Sequence, residues 1–156
     1  MTHAYSDLYL DSAQDILGHA LDWVANTCGE DVAVFCDRFC QSKIAAMFEF
    51  GYPKYVAGCN GAELVNFVME DLGLPEYTCP QEFYADRSPE YWAGWVLAYF
   101  QWKNRFSFRT ILQRVPVEKI LDLYPTGHEQ DVRNVADILS EWMGAKQQTE
   151  NDKEAI

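Results

Sequence analysis

A row of four carboxylates near the start of the chain is the first group of residues that could recognise a ligand. Its members recur every four or seven residues: Asp7, Asp11, Asp15 and Asp22. On a helix, which turns by about 100° per residue, they lie within an arc of about 80°. Like charges four residues apart each destabilise a helix by about 0.2–0.5 kcal/mol. The row is therefore either a solvated face or a face that docks a basic partner, and the sequence leaves both interpretations open.

Aromatic rings form a second candidate site. Four of them share one face of a later helix: Tyr91, Trp95, Tyr99 and Trp102. Such rings can stack on nucleobases or enclose a cation. At helical spacing they more commonly pack into a core, where each buries about 150–250 Å² and its polar hydrogen needs a partner. We expect core packing, with a ligand patch as the alternative. We expect the small residues away from the centre of the stripe, Ala93, Gly94 and Ala98, to permit close helix approach.

Basic residues follow this stripe directly. The cluster consists of Lys103, Arg105, Arg109 and Arg114. On a chain of formal net charge −12, such a patch could bind a phosphate or an acidic protein surface. The alternative is pairing with the surplus carboxylates of the same chain, where each surface pair contributes little. Together with Trp95, Tyr99 and Trp102, the cluster is a candidate ligand or partner patch, for example for a nucleotide.

Catalytic and metal-binding motifs are absent from the sequence. It contains no phosphate-binding glycine loop, zinc-protease motif or nucleophile elbow. Cys36 and Cys40 share a helix face, but a zinc site needs two further ligands and the histidines are scattered. His128 beside Glu129 could seat an acid/base pair, although a single histidine in a first helical turn is usually structural. We expect a non-enzymatic protein without metal or cofactor.

The bulk composition narrows the class of protein. A chain of 156 residues fits one domain, and 49% hydrophobic residues suffice for a packed core. The strong negative charge argues against direct DNA binding, since phosphate neutralisation requires dense positive charge. Neither a signal peptide nor an apolar run long enough for a membrane span is present. We expect a cytoplasmic protein that does not contact membranes; its oligomeric state stays open.

Helical periodicity dominates the chain and positions these groups. Capping residues open several of the predicted helices, among them Ser6, Asn60 with Glu63, and Ser88 before Pro89. Residues 51–61 are rich in glycine and proline and are predicted to be a loop, and Thr126 is predicted to open the last helix. No strand pattern is evident. The sequence thus predicts an all-α fold, a compact single-domain bundle of seven or eight helices over residues 1–144, with a flexible polar tail over 145–156.

Several stretches resemble a known family. They are Leu8–Asp11, Pro53–Gly58, Pro89–Trp95 and Leu123–Glu129, of which the tryptophan-rich Pro89–Trp95 is the most specific. Residues 8–143 resemble the helical N-terminal region of a gut-clostridial family of regulators, in which this region precedes a helix-turn-helix of the phage-repressor type. Genes of this family often lie beside toxin-like ADP-ribosyltransferase genes. The tail after Met143 has neither the length nor the pattern of a helix-turn-helix, so DNA binding is not expected.

The resemblance implies a role in sensing or neutralising a protein. Our leading hypothesis is an antitoxin-like or regulatory module whose acidic helical surface binds a partner with a basic surface. The partner would be a toxin or a nucleic-acid-binding enzyme. A second hypothesis is an acidic DNA mimic that inhibits such an enzyme, as an anti-CRISPR or other anti-defence protein does. A third is a nucleotide or small-ligand sensor.

Overall fold

The computed structural model describes residues 3–81 and 87–154, with side chains up to residue 144. This part of the chain forms ten α-helices and no strand. The helices are α1 (Leu10–Asp22), α2 (Val32–Gln41), α3 (Lys43–Glu49), α4 (Pro53–Val56), α5 (Gly61–Asp71), α6 (Pro89–Asn104), α7 (Phe108–Arg114), α8 (Val117–Asp122), α9 (Tyr124–Gly127) and α10 (Val132–Glu154). A 3₁₀ turn over Asp7–Tyr9 leads into α1, and a π-helical turn over Trp23–Thr27 continues it.

The predicted all-α class is confirmed, whereas the predicted number of helices was too low. Two one-turn helices account for the difference, because α4 lies in the predicted loop and α9 precedes the last long helix. Both have a proline in their first turn, where its fixed φ favours a helical start. The last helix also begins later than predicted. The carboxylate of Asp131 accepts a hydrogen bond from the backbone N–H of Arg133 at 2.9 Å, whereas Thr126 lies inside α9.

Other predicted helix starts are confirmed by their hydrogen bonds. The side chain of Asn60 accepts the backbone N–H of Glu63 at 2.8 Å, and the Glu63 carboxylate accepts the backbone N–H of Asn60 at 3.0 Å. This reciprocal pair satisfies two backbone donors that the helix itself leaves unpaired. Ser88 caps α6 by accepting the backbone N–H of Tyr91. The local sequence therefore fixes where α5 and α6 begin.

Helices α1 and α6 lie at the centre of the fold and carry most of the acidic row and the aromatic stripe. From α1, Leu17, Ala20 and Leu21 are fully buried, and α6 buries most of its length against them. An aromatic cluster of Phe39, Phe48 and Phe108 fills the space between α2, α3 and α7. Among the described residues, no helix is both long and apolar enough to cross a membrane.

The C-terminal segment was predicted to be a flexible tail. Its backbone continues α10 as far as Glu154, while the side chains of residues 145–154, and residues 155 and 156 altogether, lie outside the described part of the chain. The flexibility of residues 145–156 stays a prediction.

Candidate partner-binding groove

Close contact between α1 and α6 builds a groove beside the acidic residues of α1. A Cβ added to Gly18 would lie 2.8 Å from the ring of Tyr91, so only a glycine leaves room for that ring. Gly94 likewise faces the backbone of α1 without a side chain between them. The prediction that Gly94 permits close approach is confirmed. Because the helices touch, polar groups on α6 reach the carboxylates of α1.

Two aspartates of the predicted acidic face make such contacts. The hydroxyl of Tyr91 donates a hydrogen bond to Oδ1 of Asp15 at 2.5 Å, and Ser88 Oγ donates one to Oδ1 of Asp22 at 2.5 Å. Burial, followed by the hydrogen bond to Asp15, raises the pKa of Tyr91. A hydrogen bond from a hydroxyl group to a carboxylate oxygen is short and strong. Both aspartates thus fasten the N-terminal half of α6 to α1.

The acidic row therefore divides into two parts. Asp22 also accepts a hydrogen bond from the side-chain amide of Asn26 at 2.9 Å, so its carboxylate binds groups of the protein itself. Asp7 and Asp11 are exposed. Asp15 belongs to both parts, because its side chain remains 48% exposed while it accepts the Tyr91 hydroxyl. Its second oxygen lies 3.6 Å from Nδ1 of His19.

Two adjoining cavities form the groove beside these residues. The first, of about 400 Å³, brings Asp11 and Asp15 together with Tyr91 and Trp95. The second, of about 290 Å³, shares Tyr91 and Trp95 with the first and continues along Trp92, Tyr124 and His128. Carboxylates thus line one end and aromatic rings line the other. Negative charge beside π-electron density is the combination that attracts an organic cation.

An internal cation already lies in the groove. Arg87 lines both cavities, and its guanidinium carbon lies 4.8 Å from the centroid of the Tyr91 ring. This distance is within the range of a cation–π contact. At the far end, the rings of Tyr124 and His128 stack with centroids 4.3 Å apart, and Trp92 packs edge-on against Tyr124. The walls of the groove therefore suit a guanidinium or an ammonium group.

No protein-family model matches the chain. No curated protein and no solved structure matches it either.

The predicted aromatic stripe does not act as one surface. Trp95 and Tyr99 are half-buried, but Tyr91 and Trp102 belong to the interior. The indole N–H of Trp102 donates to the carbonyl oxygen of Tyr5 at 2.8 Å, which supplies the partner that a buried tryptophan needs. Of the candidate patch residues, only Trp95 lines the groove, together with the acidic residues.

The predicted basic cluster is likewise dispersed. The ammonium group of Lys103 lies 5.9 Å from the Tyr99 ring centroid. Arg109 donates to the backbone carbonyl of Cys40 at 3.2 Å and lines a cavity of about 260 Å³ with Asp37. Arg105 lines a different cavity near Phe106, and Arg114 is half-buried with an interaction of its own. These positions do not converge with Trp95 on one nucleotide-sized site.

The acid/base pair considered at His128 lies on an exposed residue whose contacts are to its neighbours in the chain. Nδ1 of His128 lies 2.6 Å from the Tyr124 carbonyl oxygen, and its Nε2 lies 4.0 Å from exposed Glu129. No group of three or more His, Cys, Asp or Glu side chains within the described chain could hold a metal ion. Cys36 is buried and Cys40 half-buried, and both thiols have raised pKa values because burial disfavours the thiolate. A reactive thiol requires the opposite shift.

Sequence reasoning missed Arg87 as a member of the site. It precedes the capping residue Ser88 in a stretch with no helical periodicity, so no pattern assigns it to a face. His128 was noted only for acid/base chemistry, whereas the structure places it with Tyr124 in the aromatic end of the groove. Their spacing of four residues on one helical turn was the available signal.

Proposed function

We propose that this protein is a non-enzymatic binding module that recognises a partner protein with a basic surface, acting in the cytoplasm as an antitoxin-like or regulatory protein. The observation that carries the proposal is the groove in which Asp11 and Asp15 lie beside Tyr91 and Trp95. A lysine or arginine side chain of the partner would enter between the carboxylates and the rings. There both charge attraction and a cation–π contact act on the same group.

The position of Arg87 supports this choice of ligand. It is an exposed residue, yet its guanidinium lies over the Tyr91 ring. A cation from a partner would instead meet the half-buried Trp95 beside that ring, together with the exposed Asp11. The net charge of −12 adds long-range attraction, which raises association rates with basic surfaces.

The division of the acidic row favours this proposal over the DNA mimic. A mimic of a phosphate backbone needs a regular series of exposed charges, but Asp22 accepts two hydrogen bonds within the fold and Asp15 accepts one. Two carboxylates of the row, Asp11 and Asp15, instead lie next to aromatic rings. The groove therefore suits insertion of individual side chains more than an extended charged surface.

A capture experiment with charge-neutralising variants tests the proposal. The full chain serves as bait for the products of neighbouring genes and for host lysate. The test variant is Asp11→Asn with Asp15→Asn, in which an amide oxygen at position 15 can still accept the Tyr91 hydroxyl. The control is Asp137→Asn with Glu141→Gln, which removes two exposed charges from α10.

We expect a basic partner that is retained by the wild-type chain and by the α10 control but lost from the groove variant and at high salt. Retention that is equal for all three baits would contradict the assignment of the groove. A partner that DNA displaces from the wild-type chain would instead support the inhibitor of a nucleic-acid-binding enzyme.

A further inference from the structure

Two cysteine thiols meet where the π-helical turn after α1 ends. Cys28 closes this turn, and its backbone N–H donates to the carbonyl oxygen of Trp23 at 2.9 Å. Cys79 belongs to residues 74–81, which contain no helix. The two side chains are hydrogen-bonded to each other, and each is half-buried against the core. Neither cysteine lines the groove between α1 and α6, so the pair is a separate site with two sulfur atoms already in contact.

Contacts of Tyr77 hold the chain on one side of Cys79. The Tyr77 hydroxyl donates a hydrogen bond to Oε2 of Glu30 at 2.6 Å. The Asn66 side chain pairs with the Tyr77 backbone, since its Oδ1 accepts the backbone N–H at 2.9 Å and its Nδ2 donates to the carbonyl oxygen at 3.2 Å. Glu30 follows Cys28 by two residues. Its contact with Tyr77 therefore brings the two cysteine-bearing segments together.

A second contact holds the chain on the other side of Cys79. The indole N–H of Trp23 donates to the carbonyl oxygen of Pro80 at 2.7 Å. Trp23 is 1% exposed, and its ring packs edge-on against Tyr77 with centroids 6.0 Å apart. Cys79 thus lies between two residues that are both fastened to the π-helical turn or the residues after it. Because the fold already brings the sulfur atoms together, a bond between them requires little further ordering of the chain.

Protonation distinguishes the two thiols. Burial, followed by the hydrogen bond to Cys79, raises the pKa of Cys28 to about 12. The negative charge of Glu30 shifts this pKa in the same direction. Cys28 thus keeps its proton and directs it at the sulfur of Cys79. A thiolate rather than a thiol attacks a disulfide, so Cys79 is the thiol that reacts first and Cys28 the one that completes an exchange.

We propose that Cys28 and Cys79 are a redox-active dithiol that forms a disulfide by exchange with a low-molecular-weight disulfide such as oxidised glutathione. The sulfur of Cys79 loses its proton and attacks one sulfur of the small disulfide, whose S–S bond breaks and whose other half leaves as a thiolate and takes up a proton. The Cys28 sulfur then loses its proton, attacks the Cys79 sulfur and expels the remaining half as a second thiol. The protein is oxidised by two electrons, and the small disulfide is reduced to two thiols. No residue of the groove takes part, so the dithiol is independent of the proposed function.

Oxidation ties residues 74–81 covalently to the end of the π-helical turn. The new bond closes a loop of about 50 residues, which lowers the conformational entropy of the unfolded chain. Because the sulfur atoms are already in contact in the reduced protein, the folded state should change little. We therefore expect the disulfide to raise the unfolding temperature by roughly 5–10 °C.

An oxidation titration of the unmodified, folded chain tests the proposal. The protein is equilibrated with mixtures of oxidised and reduced glutathione, its remaining thiols are blocked with N-ethylmaleimide, and peptide mapping by mass spectrometry identifies the linked cysteines. We expect two of the five thiols to be lost, with Cys28 joined to Cys79, and the rise in unfolding temperature to be reversed by dithiothreitol. Glutathione adducts without an internal disulfide would refute the dithiol, and so would a bond between any other pair, such as Cys36 and Cys40.

Single-cysteine variants test the order of the two steps. Cys28→Ser removes the thiol that completes the exchange, so Cys79 should retain glutathione as a mixed disulfide, whereas Cys79→Ser should leave Cys28 largely unmodified. The matched control is Cys59→Ser, because Cys59 is also half-buried but its thiol contacts the carbonyl oxygen of Tyr55 at 3.8 Å. This control should form the disulfide as the wild type does. Equal adduct formation at Cys28 and Cys79 would contradict the proposed mechanism.

Tyr77→Phe tests whether the fold positions the dithiol. The variant keeps the ring beside Trp23 but removes the hydrogen bond to Glu30. Half oxidation should then require a several-fold higher ratio of oxidised to reduced glutathione, because the two thiols meet less often. Tyr52→Phe, at a tyrosine that is 55% exposed, should leave the ratio at the wild-type value. The same ratio in all three proteins would show that Tyr77 does not position Cys79.

Discussion

Gly94 faces Leu17 so closely that a Cβ built on Gly94 would lie 2.5 Å from the carbonyl oxygen of Leu17. The obstacle is backbone, so it cannot move aside as the end of a flexible side chain can. Helices α1 and α6 therefore meet backbone to backbone at this point. Because the two backbones lie so close, the hydroxyl of Tyr91, which precedes Gly94 by one turn of α6, reaches Asp15 on α1.

Gly94→Ala should therefore destabilise the protein strongly. The added methyl group must push α1 and α6 apart, and overpacking of this kind costs about 1–3 kcal/mol of unfolding free energy. Gly144→Ala is the matched control, because no atom lies within 4 Å of a Cβ added there and α10 is helical. That control should gain about 0.5–1 kcal/mol. Urea denaturation measures both, and equal midpoints would show that the helices tolerate separation.

Removing the Tyr91 hydroxyl tests how much its contact with Asp15 contributes. Tyr91→Phe leaves the ring in place but removes the hydrogen bond, so we expect a loss of about 0.5–1.5 kcal/mol. The lower end applies because Asp15 is 48% exposed and water can replace the hydroxyl. Tyr52→Phe, at a tyrosine that is 55% exposed, should change nothing. Thermal unfolding measures the stability of both variants. Equal unfolding temperatures of Tyr91→Phe and Tyr52→Phe would contradict the expectation.

The stability of the first turn of α10 should decrease at acid pH, because Asp131 becomes protonated there. Hydrogen bonds from the Arg133 side chain and backbone lower the pKa of Asp131 to about 2. Because a folded-state pKa below the unfolded value stabilises the ionised form, this contribution is present above about pH 4 and is lost as the pH falls through about 2. Arg133→Gln should raise the pKa of Asp131. NMR titration of the carboxyl carbon measures it, with Arg133→Lys expected to lie between the two; an unchanged pKa would contradict the assignment.

Arg105→Gly should stabilise the protein or leave it unchanged, although it removes a side chain. At φ 62° glycine avoids a steric cost of about 1–2 kcal/mol that other residues bear. Lost contacts of the guanidinium and the greater entropy of an unfolded glycine offset part of this gain. The matched control is Lys103→Gly, two residues earlier within the regular helix α6, which should lose about 1 kcal/mol. Loss of stability in both variants would show that the contacts of Arg105 outweigh its strain.

Much of the local structure was predictable because it depends on neighbouring residues. The capping pair Asn60 and Glu63 and the cap at Ser88 are recognised from short-range spacing, and the structure contains both. Thr126 had the same spacing to Glu129 but does not begin a helix. There the proline after Tyr124 starts an earlier turn, and Asp131 caps α10 instead. Both Thr126 and Asp131 could cap a helix according to the local sequence, and the packing of the chain determines which of them does.

The candidate site was predictable only in part. Sequence spacing gathered Asp11 and Asp15 on one face, but it could not show that Asp15 and Asp22 bind to α6. The stripe of Tyr91, Trp95, Tyr99 and Trp102 was expected to pack in the core, but only Tyr91 and Trp102 are buried, while Trp95 and Tyr99 are half-buried. Periodicity assigns residues to a face of a helix, whereas the helices packed around it decide which part of that face is covered.

The amino-acid sequence by itself determined the all-helical class, most helix boundaries and the strong negative charge, since these follow from composition and from interactions within about four residues. The tertiary structure decided which charges remain exposed, that Arg87 lies over Tyr91, and that the indole N–H of Trp102 donates to the carbonyl oxygen of Tyr5. These relationships join residues far apart in the chain. They exist only once α1, α3 and α6 are packed, because distance and burial, not residue type, determine what each polar group can bind.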